Sequence, residues 1–180
     1  LVGICFADKL TIWLIFWSPR HLHLNFPLMR IIEMKNVRKD YPLGETIVSA
    51  LKGVDFSVDE GDLLSVVGPS GSGKTTLLNI IGCIDKPSSG EVDIAGQNIT
   101  LLDDNALTDL RLYTVGFIFQ SFNLIPVLDV RENVEFPLLL MKQDAPSKAE
   151  IRERAEKLIE EVGLTAQLHQ RPAELSGGQR

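Results

Sequence analysis

Residues 68–75 read Gly68-Pro69-Ser70-Gly71-Ser72-Gly73-Lys74-Thr75 and match the pattern G-x-x-x-x-G-K-[ST] at every fixed position. Glycines at 68, 71 and 73 let the backbone turn its N–H groups inward with no Cβ in the way. A helix starting at the end of the loop adds the positive end of its dipole. Such a loop is a cradle for a polyphosphate. Lys74 is expected to reach the β and γ phosphates as a point charge, and the Thr75 hydroxyl to ligate the Mg²⁺ that bridges them. Thr76 is placed for the α phosphate. The ligand implied is a magnesium-bound nucleoside triphosphate. The competing reading, a glycine-rich turn with no ligand, does not explain why a buried strand and a helix flank the loop. The motif alone does not separate transporters, GTPases, helicases and small-molecule kinases, because all use the same phosphate physics.

The loop needs a strand before it and a helix after it, and the sequence supplies both. Residues 63–67 form an apolar run ending at Gly68, expected to be a strand buried on both faces of a parallel sheet, and residues 74–81 form the helix. Upstream, residues 30–37, 47–51 and 54–58 are partly alternating and β-branched, which predicts a small antiparallel sheet at the entrance to the domain. Downstream, residues 91–95 predict a strand, 103–112 a helix and 115–119 another buried strand. The alternation argues for an α/β fold. The clearest helix covers residues 148–162, with Ile151, Ala155, Leu158, Ile159 and Val162 on one face. Ser147 and Glu150 supply its capping box and Gly163 its stop. Residues 121–126 and 134–140 mix apolar side chains with prolines and suit either packing of a helical subdomain or docking on a partner.

The bulk properties agree with one globular domain. The chain has 180 residues, 44% apolar and 23% charged, enough for a single core. Its net charge of −6 and pI near 5.1 do not favour nucleic acid or an anionic membrane surface, so any anion needs a local site. Cys5 and Cys83 form neither a CxxC pair nor a zinc pattern, which points to free thiols in a reducing compartment. The apolar run at residues 10–17 would span only about 12 Å as a helix, against a hydrocarbon core of roughly 30 Å, so it cannot cross a bilayer alone. Because the chain begins with Leu1 and Met29 opens the first strand pattern, residues 1–28 are expected to be an extension outside the native protein.

The run Leu175-Ser176-Gly177-Gly178-Gln179-Arg180 narrows the class. It resembles the LSGGQ signature of the ABC ATPase family, and together with the upstream loop it identifies residues 29–180 as a partial ABC ATPase domain. The resemblance implies a P-loop NTPase fold with an N-terminal antiparallel β subdomain, a parallel-sheet core and a helical subdomain. It implies that Leu175, Ser176, Gly177, Gly178 and Gln179 act in trans, on the γ phosphate of ATP held by the opposite subunit of a head-to-tail homodimer. Tyr41 falls at the family's A-loop position, where an aromatic ring stacks on adenine. Gln120 falls at the Q-loop position, where its side chain approaches Mg²⁺ and the loop couples to an integral membrane permease subunit. Residues 79–90 and 117–124 are similar to the branch containing the lipoprotein-release ATPase LolD and the macrolide-export protein MacB. The implied location is cytoplasmic, peripheral on the inner face of the cell membrane.

In the family pattern the Walker B strand with its catalytic Glu, the D-loop and the switch His all follow the signature, and none has a counterpart in residues 1–180. His21, His23 and His169 precede the signature, so none holds the switch position. The core is therefore expected to be incomplete at the C-terminus, and the 180-residue chain to bind Mg-ATP weakly without turning it over. Two other readings share these motifs. A soluble ABC ATPase acting on DNA or ribosomes would usually carry insertions around Gln120, and none is visible before Ser147. A non-catalytic nucleotide-binding fragment is the other.

Overall fold

The computed structural model of the chain describes residues 30–119, 121–142 and 145–180, together with the backbone of 2–6 and 11–16. They fall into two compact units, residues 1–120 and residues 121–180.

In the first unit, strands β1 (Val2–Phe6), β2 (Thr11–Phe16), β3 (Arg30–Leu43), β4 (Thr46–Asp59) and β5 (Leu63–Val67) lead to helix α1 (Lys74–Ile81). Then come β6 (Ser89–Ile94), β7 (Gln97–Asn98), helix α2 (Asp104–Thr114) and β8 (Val115–Ile118). The expected antiparallel sheet is present, in the order β4-β3-β6-β7. Its β3 strand alternates until Asn36, where a left-handed residue (φ 48°) makes a bulge. Ile32 and Met34 are buried before it and Val37 after it, so the extra residue shifts the phase of everything that follows. Residues 47–51 and 54–58 belong to one strand rather than two. Gly53, at φ 92°, absorbs an irregularity in the ladder and pairing resumes beyond it.

The second sheet has the order β5-β2-β1-β8. β1 runs parallel to β8, with Ile4 opposite Phe117, while β2 is antiparallel to both β1 and β5, with Leu14 opposite Leu64. The apolar run of residues 10–17 thus contributes a strand, and the parallel core is built as a mixed sheet. β5 is not buried on both faces: Leu64 and Val66 pack on the core, while Leu63 and Val67 are 61% and 69% exposed. β8 departs from expectation in the same way, with Ile118 exposed. Among the described residues of this unit the core lies on one side of β5, and the alternate side chains point away from it. That core joins Leu77, Leu78, Ile80 and Ile81 of α1 to Ile32, Met34, Val37, Val92, Ile94 and Ile99.

The second unit packs α3 (Val130–Leu139) on α4 (Lys148–Glu161), followed by 3-10 turns at Thr165–Gln167 and Pro172–Glu174. Both helices start with reciprocal capping boxes, Asp129 with Glu132 and Ser147 with Glu150. On α4 the buried stripe is Ile151, Ala155 and Ile159, each four residues apart. Leu158 and Val162, expected on that face, are exposed, because the 100° step carries them to its edge.

Candidate nucleotide-binding site

The phosphate loop is built between β5 and α1, as its motif requires. Gly73 sits at the N-cap of α1 with φ 90°, and a Cβ there would lie 2.6 Å from the Ala50 carbonyl, so the backbone conformation and the close approach both demand glycine. No side chain caps α1, and its first turn carries no acidic residue. The N–H groups of Lys74, Thr75 and Thr76 have no intrahelical acceptor, since the first bond of the helix is Leu77 N–H to Gly73 O at 2.9 Å. These are the groups an anion would bind. Lys74 is 8% exposed, and its ammonium donates to the carbonyls of Gly68 (2.7 Å) and Pro69 (2.9 Å), folding back across the loop. Ser72 N–H closes a turn on Pro69 O at 3.2 Å, while Ser70, Gly71, Ser72 and Thr75 face solvent.

A triphosphate fits this arrangement. Uncapped N–H groups and a cation share one end of α1, with no carboxylate in that turn to repel the ligand. The exposed Thr75 hydroxyl is the oxygen donor the loop offers a hard cation such as Mg²⁺. When bound, the cation would neutralise charge on the phosphates.

Tyr41 lies within β3 and is half-buried. Its hydroxyl donates to Asp85 Oδ2 at 2.8 Å, and the Lys39 ammonium sits 5.0 Å from the ring centre. Burial first, then the bond to Asp85, push the phenol above its ordinary pKa, partly offset by Thr76. Tyr41 is therefore tied, through Asp85, to the chain just beyond the end of α1. Sequence reasoning missed the pairing of Lys39 with Asp85, which lie 46 positions apart.

The signature lies in the second unit. Leu175 is buried with Val130 and Ile159, which anchors one end of the run. Ser176, Gly177 and Gly178 are exposed, with open space around both glycines. Gln179 folds the run into a turn: its side-chain oxygen accepts from Ser176 N–H (3.0 Å) and Ser176 Oγ (2.8 Å), and its own N–H donates to Ser176 O. His169 approaches Asp129 at 3.3 Å, a helix-capping position. Gln120 lies outside the described residues.

An uncapped helix that buries a lysine under a glycine-bounded loop, at the end of a sheet strand, defines the class of P-loop nucleotide-binding domains. Within that class, the family model described as ABC transporter matches residues 51–180, and the chain belongs to that family. An ABC transporter ATP-binding protein of Thermotoga maritima is 46% identical over 85% of this chain. The ABC transporter ATP-binding protein MJ0796 of Methanocaldococcus jannaschii is 48% identical over 83%. The macrolide export ATP-binding/permease protein MacB of Marinobacter nauticus is 44% identical over 83%. The chain spans 64% of the length of the first two relatives and 23% of MacB. The solved dimeric structure of the MJ0796 cassette in a post-hydrolysis state, bound to ADP and Pi, has a TM-score of 0.68 at 42% identity. It covers 82% of this chain, which covers 64% of it. The relatives MJ0796 and MacB place the chain in the LolD/MacB branch. Among the described residues no helix is long and apolar enough to cross a membrane.

Proposed function

We propose that the protein carrying this chain binds Mg-ATP at residues 68–76 and hydrolyses it to drive an ABC-type membrane transporter or force-transmitting complex from the cytoplasmic face. The observation that carries this reading is the first turn of α1, where free N–H groups and the buried Lys74 ammonium converge with no competing carboxylate. In this account Gly68, Pro69, Ser70, Gly71, Ser72 and Gly73 form the cradle. Lys74 neutralises the terminal phosphates, Thr75 ligates Mg²⁺, Thr76 holds the α phosphate and Tyr41 stacks on the base. Gln120 completes the metal site and couples it to the permease. Residues 29–180 carry the motifs of the ATPase domain, and residues 1–28, N-terminal to them in sequence, contribute β1 and β2 between β5 and β8.

The signature works across a head-to-tail homodimer. Gly177 and Gly178 are exposed with free space around them, which suits backbone donors meant for a ligand on another molecule. Phe122, Val127 and Phe136 leave apolar surface on the second unit, which suits docking to an integral membrane permease. The branch points to permeases of the lipoprotein-release or macrolide-export kind.

Subunit mixing tests the trans arrangement in the full-length protein. Lys74→Ala and Ser176→Arg homodimers are each expected to lose ATP turnover. A mixed dimer keeps one intact loop facing one intact signature and recovers about half the activity, because a two-fold dimer holds two equivalent loop–signature sites. No recovery on mixing, with both variants folded, contradicts the arrangement.

A further inference from the structure

Beyond the phosphate loop, a set of charged contacts joins Tyr41 to the far end of α1. After the bulge at Asn36 the ladder to β4 shifts register twice more, at Val37/Arg38 and Lys39/Asp40, but burial along β3 itself alternates again. Val37, Lys39 and Tyr41 are withdrawn from solvent and Arg38 and Asp40 are exposed, which puts the three on one face of the strand. Lys39 Nζ donates to Asp85 Oδ1 at 2.6 Å and to the Lys86 carbonyl at 2.7 Å. The Tyr41 hydroxyl takes the other carboxylate oxygen, Asp85 Oδ2, at 2.8 Å, and Lys86 N–H donates to Oδ1 at 2.8 Å. The carboxylate is itself fixed to the helix, because Ile84 N–H and Asp85 N–H both bond to Asn79 O, at 2.8 and 3.1 Å. α1 in turn begins at Lys74, inside the phosphate loop. An unbroken run of bonds and helix therefore connects the loop to the Tyr41 ring.

We infer that Asp85 and Lys39 are positioning residues for recognition of the nucleotide base: they hold the Tyr41 ring at a fixed distance and orientation from the phosphate loop. The inference rests on Tyr41 as the base-stacking residue. Lys39 and Asp85 have side chains only 13% and 28% exposed, so each is partly withdrawn from water and depends on the other. Burial works against the Asp85 carboxylate, but the bonds from Lys39, Tyr41 and Lys86 outweigh it and hold its pKa below the ordinary value. Without that carboxylate the ring loses its hydroxyl anchor and the cation beside it loses its partner. A ring free to swing offers the base a poorer stacking surface, while the phosphate cradle, built from backbone and Lys74, is untouched.

The test separates base from phosphate. Affinities for Mg-ATP and for magnesium tripolyphosphate are measured on the unsubstituted protein and on Tyr41→Ala, Asp85→Ala and Asp85→Asn, with far-UV circular dichroism as a folding control. The ratio of the two affinities isolates the base. Tyr41→Ala and Asp85→Ala are expected to lower that ratio about tenfold while tripolyphosphate affinity stays within about twofold. Asp85→Asn, which still accepts the Tyr41 hydroxyl, is expected to keep most of it. A purely structural ion pair would leave the ratio unmoved. An unchanged ratio in Asp85→Ala beside a lowered one in Tyr41→Ala overturns the positioning role alone. An unchanged ratio in Tyr41→Ala overturns base stacking and the positioning role together. If Asp85→Ala does not fold, Lys39→Met is read in the same way: a lowered ratio supports the inference and an unchanged one overturns it.

Discussion

Gly73 shows how narrowly single residues are constrained around the loop. Its φ of 90° and the 2.6 Å that would separate a Cβ from the Ala50 carbonyl act in the same direction. Gly73→Ala is expected to cost about 1–3 kcal/mol of stability, measured by denaturant unfolding, with β4 and the loop displaced from each other. Cys83 is constrained by burial instead, which pushes its thiol up to about 11, with a smaller opposing pull from Arg111. The folded state keeps this proton where the unfolded chain loses it near pH 9, so the associated stability is full below pH 9 and declines as pH rises through about 11. Alkylation of Cys83 at about pH 8.5, mapped by mass spectrometry, is expected to be slow until denaturant is added. Rapid labelling of the native protein would contradict that burial. The phosphate loop was legible at this scale because its chemistry is contiguous in sequence. The Lys39–Asp85–Tyr41 cluster was not, since only the fold brings β3 to the end of α1.

Elements were legible where local signals agreed with packing. α1, α2 and α4 carry periodicity, and α2 and α4 also carry side-chain caps at Asp103 and Ser147, so their starts matched the expected positions to within a residue. No helix was assigned at α3, where Pro137 lies inside the element and residues 134–140 read only as apolar side chains mixed with proline, suited to packing of a helical subdomain or to docking. The Asp129–Glu132 capping box was the signal that could have found it. The hub of this region is Asn133, whose Oδ1 accepts from Ile125 N–H at 2.8 Å and whose Nδ2 donates to the carbonyls of Ile125, Leu128 and Asp129. Asn133→Ala leaves those groups without their partner and is expected to cost about 1–3 kcal/mol, with faster hydrogen exchange at Ile125. Unchanged exchange there would show that the amide does not hold the turn. Two-sided burial of β5 was over-read from its apolar composition. Leu63 and Val67 fit a buried strand by residue type, but burial depends on what else packs there, which a local run does not encode.

At the scale of the whole molecule, the two motifs that define the family lie in different units, the phosphate loop in residues 1–120 and the signature in residues 121–180. The loop presents donors from an uncapped helix, and the signature presents an exposed turn held by Leu175 and Gln179. The pairing of β1 and β2 between β5 and β8 was invisible in the sequence, where residues 1–28 show an apolar run with no sign of its partners. Everything assigned to transport and turnover depends first on nucleotide entering at α1. The most direct measurement is an equilibrium titration of Mg-ATP into the protein and into Lys74→Ala at matched stability. Losing the ammonium is expected to weaken binding about 10- to 100-fold, as the loss of a charge-assisted bond to phosphate implies. Equal affinity in the two proteins would contradict binding at this loop.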